Sequence, residues 1–159
     1  LEKPGGPLPK DLDPSAKPLT VGAWCTPESG DGVLVAQGGE SIGYSLYLAG
    51  GKARFAVRSG GELKVVVSDL KIEVGKRTHI AGTLAATGKL TVLVNGKAAG
   101  QAPGHLLPSK PSDGLNVGDD AGSLVADYTT PTKLKGSLED IRIYWGVLDA
   151  KGMRAWASQ

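Results

Sequence analysis

Cysteine is almost missing from this chain. Cys25 stands alone among 159 residues, so no intrachain disulfide can form. Its neighbours Val21 and Ala23 mark it as a small buried hydrophobe rather than a reactive thiol, and the redox compartment stays open. Histidine is nearly as scarce. His79 lies in a strand-like run beside Ile80 and Ala81 and reads as a hydrogen-bonded structural residue, while His105 lies in a loop next to Leu106. Neither neighbours a Gly-flanked serine, and they do not have metal-ligand spacing. A catalytic centre is therefore hard to assemble from local motifs, although a lyase could still gather one from distant strands. An excess of either charge is also missing. Eighteen basic against 16 acidic residues give +2, which excludes the broad cationic surface that drives nucleic-acid binding. No run approaches the ~20 apolar residues that cross a bilayer, so no membrane insertion is expected, and any export signal is expected upstream. No period of about 20–50 residues repeats, which argues against a propeller or solenoid.

What the chain has is glycine and proline, 24 and 10, against one Phe, three Trp and four Tyr. Much of it must be turns between short strands, and its length suits one domain, which predicts an all-β sandwich of two antiparallel sheets. Residues 1–18 hold Pro4, Pro7, Pro9, Pro14 and Pro18 with Gly5 and Gly6, and read as a linker before a domain over 19–159.

The most strand-like run is 139–144, where Ile141 and Ile143 alternate with Arg142 and Tyr144 between Gly136 and Gly146. A first strand over 19–26 puts Val21, Ala23 and Cys25 on one face and Thr20, Gly22 and Trp24 on the other. Further strands are expected at 33–37, 42–48, 52–58, 63–68, 76–84, 89–94, 97–99 and 115–117, with hairpins at Gly50-Gly51 and Asn95-Gly96. Tyr44, Leu46, Ala53, Phe55 and Val57 are expected inward, as are Leu63, Val65 and Val67. After the last strand Asp149 can cap a short helix with Met153 and Trp156 on one side.

Three constellations could carry function. Between Lys52 and Arg77 lie seven basic residues against three acidic ones. By alternation Arg54, Arg58 and Lys64 leave the core together, with Tyr47 beside them. Guanidinium forks grip sulfate or carboxylate and a tyrosine ring stacks on sugar, so this set is a candidate carbohydrate-binding face for an anionic glycan. The competing reading is a sheet edge protected by charge. Asp120 and Asp127, with nearby carbonyls, have the oxygen chemistry of a calcium site; alternatively Asp120 starts a turn and Asp127 caps one. Trp24 is either covered by Trp156 or the proline-rich segment, or exposed as a sugar platform.

The motifs Leu19-Thr-Val-Gly-Ala-Trp24, Gly43-Tyr-Ser-Leu-Tyr-Leu48, Thr78-His-Ile-Ala81, Leu93-Val-Asn-Gly-Lys97, Val117-Gly118 with Asp120-Ala-Gly-Ser123, Asp127-Tyr128 and Gly136-Ser-Leu-Glu-Asp-Ile-Arg-Ile-Tyr144 follow one another in a telling order. Over residues 19 to about 150 the chain resembles laminin-G-like domains of the concanavalin A-like jelly-roll superfamily, above all the C-terminal accessory domains of secreted bacterial sulfatases and other polysaccharide-degrading enzymes. The resemblance implies a noncatalytic module, secreted or periplasmic, that binds glycan or packs on a parent catalytic domain and sometimes holds structural calcium. The sulfatase motif, Cys or Ser followed by Pro-x-Arg, does not occur here. A structural or protein-adhesion domain without a glycan ligand is the alternative. The chain departs from the resemblance in carrying Arg77 where Trp is usual and Glu139 where Asp is usual.

Overall fold

The computed structural model describes residues 13–159, and the expected linker lies outside them up to residue 12. Two five-stranded antiparallel sheets pack face to face. One contains, in order across the sheet, β10 (Gly136–Trp145), β1 (Leu19–Pro27), β6 (Thr78–Leu84), β7 (Leu90–Val94) and β8 (Lys97–Ala102). The other contains β5 (Glu62–Lys71), β4 (Lys52–Ser59), β3 (Ile42–Ala49), β2 (Gly32–Gly38) and β9 (Leu115–Val117). Among the described residues there is one helix, α1 (Ala150–Trp156), which follows β10 and is N-capped by Asp149, whose Oδ1 accepts from the Gly152 N–H at 2.7 Å. Within residues 13–18, Ser15 bridges to Leu107 and the Ala16 N–H donates to the Leu107 carbonyl at 2.7 Å, so this piece is fastened to the domain. Among the described residues no helix is long and apolar enough to cross a membrane.

The shared core is built from the alternation that the sequence displays: Leu19, Val21 and Cys25 of β1 meet Tyr44, Leu46 and Leu48 of β3 and Phe55 and Val57 of β4. Burial raises the Cys25 thiol to a pKa of about 11, which suits an inert core residue. In β10 the strand has an extra residue opposite β1, with Asp140 at φ 51°, and this bulge lets Leu138, Ile141 and Ile143 all reach the core side.

The outer faces are also covered. Over β1 and β6, helix α1 lays Met153 and Trp156 on Ala81 and Tyr144. The second sheet carries Val33, Ala36, Tyr47 and Ala56 outward, and the segment after β9 crosses them with Ala126 and Tyr128.

One strand faces the opposite way from expectation. Gly60 and Gly61 both have positive φ, 58° and 85°, and their two-residue turn sets Arg58 opposite Leu63 and Val57 opposite Lys64. Cross-strand partners share a face. Leu63, Val65 and Val67 therefore lie with Arg54 and Arg58 on the outer side, while Lys64 and the buried Val66 lie on the Val57 and Phe55 side.

Candidate functional site: a cleft at the end of the β2–β3 hairpin

The four residues expected to form an anionic-sugar face are not brought together. Tyr47 points outward but is 1% exposed, beneath Tyr128, whose ring meets it edge-on at 5.0 Å. Its hydroxyl donates to Asp127 Oδ1 at 3.4 Å, and burial together with the Asp127 charge holds the phenol far above its ordinary pKa. Alternation showed the direction of this side chain and could not show what lies over it. Arg58 is occupied in fastening the crossing segment, its Nε donating to the Val125 carbonyl and Nη1 to the Gly61 carbonyl at 3.4 Å. Lys64, on the other side of the sheet, pairs with Glu62 at 2.9 Å. Arg54 alone stays near the candidate region: it is half-buried opposite Tyr47, and its Nε has no hydrogen-bond partner.

The two candidate metal ligands have separate partners. Asp120 is 2% exposed, and its Oδ2 accepts from the Val125 N–H at 2.9 Å and from the Tyr128 hydroxyl. Its own N–H donates to Thr132 Oγ1 at 2.9 Å. Burial raises its carboxyl above the ordinary range despite these hydrogen bonds. Asp127 is exposed and bonds to Tyr47. Among the described residues no three His, Cys, Asp or Glu side chains gather to hold a metal, so a calcium ion here would need oxygens beyond these two carboxylates. Asp120 ties together both ends of the segment that runs to Thr132. Asp120→Ala is expected to cost about 2–3 kcal/mol in urea denaturation, because the Val125 N–H and Tyr128 hydroxyl lose a buried acceptor; an unchanged midpoint would refute this role.

His79 is 0% exposed and packs edge-on between Trp156 at 4.5 Å and Trp24 at 5.2 Å. Both ring nitrogens lack hydrogen-bond partners, so aromatic packing holds this residue where a hydrogen bond was expected. Trp24 is 8% exposed, and the Arg77 guanidinium lies 3.9 Å above its ring while Nε of Arg77 bonds to Glu139 at 3.1 Å. The two departures from the family pattern thus pair with each other across the edge of the sheet, and Trp24 is covered rather than offered to a sugar. Burial first, then the positive charge of Arg142, depresses His79 from 6.5 to about 4, with Asp140 opposing and Arg77 reinforcing. The unfolded chain therefore takes up the proton first. This contribution to stability is complete above about pH 6.5 and is lost as pH falls toward 4, in total about 3 kcal/mol. Melting temperatures across that window should fall more steeply for the natural chain than for His79→Phe; equal slopes would show that His79 does not titrate as described.

The cleft itself lies where β2 begins and β3 ends, about 290 Å³ in volume. Val33, Leu48, Ala49 and Pro131 supply apolar wall, Asp31 and Asp127 supply carboxylates, and Thr129 and Thr130 supply exposed hydroxyls. Its shape is fixed by backbone and turn contacts. Asp31 Oδ1 accepts from the Gly50 N–H at 3.0 Å, and the Val33 N–H donates to the Thr132 carbonyl at 3.0 Å. Sequence reading marked Asp127 for another purpose and missed Asp31 and the threonines, which approach only through the long crossing from β9 to β10. Apolar wall with a few fixed acceptors and hydroxyls is the chemistry of a small polar-ligand site. A second cleft, of about 310 Å³, lies at the opposite end of the hairpin beside Lys110, Asp113 and Ser123.

The profile described as concanavalin A-like lectin/glucanases superfamily, Laminin_G_3, matches residues 5–152. The chain belongs to this superfamily. No curated protein sequence matches it significantly. Among solved structures, this superfamily member is similar to the CBM40 domain of the Ruminococcus gnavus IT-sialidase bound to α2,3 sialyllactose, with TM-score 0.71 and 15% identity over 89% of this chain and 82% of that one. It is also similar to domain 4 of AbnA, an extracellular arabinanase from Geobacillus stearothermophilus in complex with arabinotriose, with TM-score 0.68 and 21% identity over 94% and 70% of the two chains. A heptameric SAP-like pentraxin from Limulus polyphemus matches with TM-score 0.68 and 18% identity over 97% and 79%. At these identities the likeness establishes the fold.

Proposed function

We propose that this laminin-G-like domain is a noncatalytic glycan-binding module whose sugar site is the cleft between Asp31 and Thr132. The observation that carries the reading is the cleft's composition: apolar wall against which a pyranose or furanose ring can lie, rimmed by two carboxylates and the Thr129 and Thr130 hydroxyls. The similar sialidase and arabinanase domains, each solved with a saccharide, support it. Binding of this kind raises the local concentration of substrate around an attached enzyme without taking part in chemistry. Affinity electrophoresis through gels containing arabinan, xylan, mannan, β-glucan, polygalacturonate or sulfated galactan tests it. Retardation by at least one, weakened about tenfold or more in an Ala49→Trp variant that fills the cleft, is the expected result; free migration through all six gels contradicts it.

Attachment to a secreted sulfatase is the finer part of the proposal and rests on the order of sequence motifs. A formylglycine-type motif in the same polypeptide would support it, and a longer reading frame without a catalytic domain would remove it. Structural calcium near Asp120 and Asp127 is a separate proposal, supported by Asp120 Oδ1, which is buried without a hydrogen-bond partner. A fall in melting temperature on chelation, reversed by added calcium, is its expected signature; an equal temperature removes it. A docking role has one specific observation in its favour, the exposure of Val67, Leu70 and Val74 at 37%, 45% and 58% along and just beyond β5.

A further inference from the structure

The second cleft, at the opposite end of the β2–β3 hairpin, is held in shape as the first one is. A Cβ on Gly39 would come within 2.5 Å of the Ser123 side chain, and Ser123 Oγ accepts from the Glu40 N–H at 2.7 Å. The Ser123 N–H donates to Asp113 Oδ2 at 3.4 Å, which ties the turn, the crossing segment and the residues before β9 together. These bonds leave polar groups to spare. Among the described residues no hydrogen bond or ion pair engages the Glu40 carboxylate, the Lys110 ammonium or the Ser41 and Ser112 hydroxyls, and all four residues line the cleft. A sugar hydroxyl both donates and accepts, so a wall that mixes carboxylates, hydroxyls and an ammonium suits a polyhydroxylated ring.

Both clefts lie along one strand and one crossing segment. Ile42 at the start of β3 lines the second cleft, while Leu48 and Ala49 at its end line the first. From the crossing segment, Ser123 lines the second and Asp127 the first. Between them Val125 packs at Gly43 and Asp127 bonds to Tyr47, so the segment follows β3 from one cleft to the other. At the usual rise of a strand, Ile42 and Leu48 are about 20 Å apart. We infer that the second cleft is a further sugar subsite, and that the module takes an extended glycan chain lying along the crossing segment with one ring in each cleft. The inference rests on the proposed sugar-binding reading of the first cleft and specifies its ligand class: a linear stretch of at least about 20 Å rather than a lone terminal sugar. Engagement of the second cleft is then intramolecular, so a chain that reaches both should bind about tenfold to a hundredfold tighter than one that reaches either.

The experiment titrates oligosaccharides of increasing length, cut from the polymer that retards the chain, into the natural chain and into Ser41→Trp and Ser112→Trp by calorimetry. Both serines are exposed on opposite walls of the second cleft, so either indole fills it without entering the core. Affinity should step up about tenfold or more once the oligosaccharide spans about 20 Å. That step should vanish in both variants, while their binding of the shortest oligosaccharide persists at the first cleft. Affinity that does not change with length beyond the shortest binder, or a step that survives in both variants, overturns the inference and leaves the first cleft a sugar site. Free migration through all six polymer gels overturns the sugar-binding reading itself and this inference with it.

Discussion

Gly82→Ala is expected to destabilise the domain by about 3 kcal/mol or more, at the upper end of what overpacking costs. Gly82 lies in the middle of β6 on the core side, and a Cβ there would sit 2.4 Å from Phe55 Cγ, 2.6 Å from Cδ1 and 2.9 Å from Cδ2. The ring has nowhere to go: Phe55 is 0% exposed, and it is the root of the ring, not its tip, that meets the new methyl group. The β4 backbone would have to retreat from the opposite sheet, loosening the core that both sheets share. A double-mutant cycle separates this clash from any backbone effect of glycine. Phe55→Leu alone should destabilise, but combined with Gly82→Ala it should cost less than the two single losses added. Strict additivity in urea denaturation would show that the close approach of Phe55 is not what requires glycine there.

Trp156→Ala is the second large loss, about 3–5 kcal/mol. The indole is 1% exposed and holds a seven-residue helix that is too short to persist unaided. It lies against Gly22, where an added Cβ would meet it at 2.9 Å, stacks edge-on with Tyr144 at 5.7 Å and His79 at 4.5 Å, and donates from Nε1 to the Asp140 carbonyl at 3.3 Å. Its removal opens one side of His79 to water. The variant should therefore also lose much of the acid-side slope between pH 6.5 and 4, because a hydrated imidazole recovers a more ordinary pKa. A variant that melts lower at neutral pH but keeps the natural slope would separate helix docking from the burial of His79.

These two sites show what the sequence could and could not reveal. The hairpins at Gly50-Gly51 and Asn95-Gly96 were legible because positive φ at both central residues requires such pairs, and both adopt it. The faces of β1, β3 and β4 and the inward Ile143 were legible from alternation. The orientation of β5 was not, because alternation shows which residues share a face and leaves open which face it is. Leu63 and Val65 are apolar for a reason found about sixty residues later, where Ala126 and Tyr128 cover them. The same covering segment conceals Tyr47 and occupies Arg58, so the expected binding face became a second small core. The cleft was illegible for a related reason: Asp31 and Thr132 are far apart in the sequence and come together only through the contact of Val33 with Thr132. Asp127 was noticed for its charge, but its neighbours could not be.

The central claim, that sugar binds between Asp31 and Thr132, is tested most directly by amide chemical-shift mapping of the isotopically labelled chain titrated with oligosaccharides of the polymer that retards it. The largest saturable shifts should fall on Gly32, Ala49, Thr129, Thr130 and Thr132. Saturable shifts confined to the opposite rim around Lys110, Asp113 and Ser123, or to the outer edge of β5, would contradict the account.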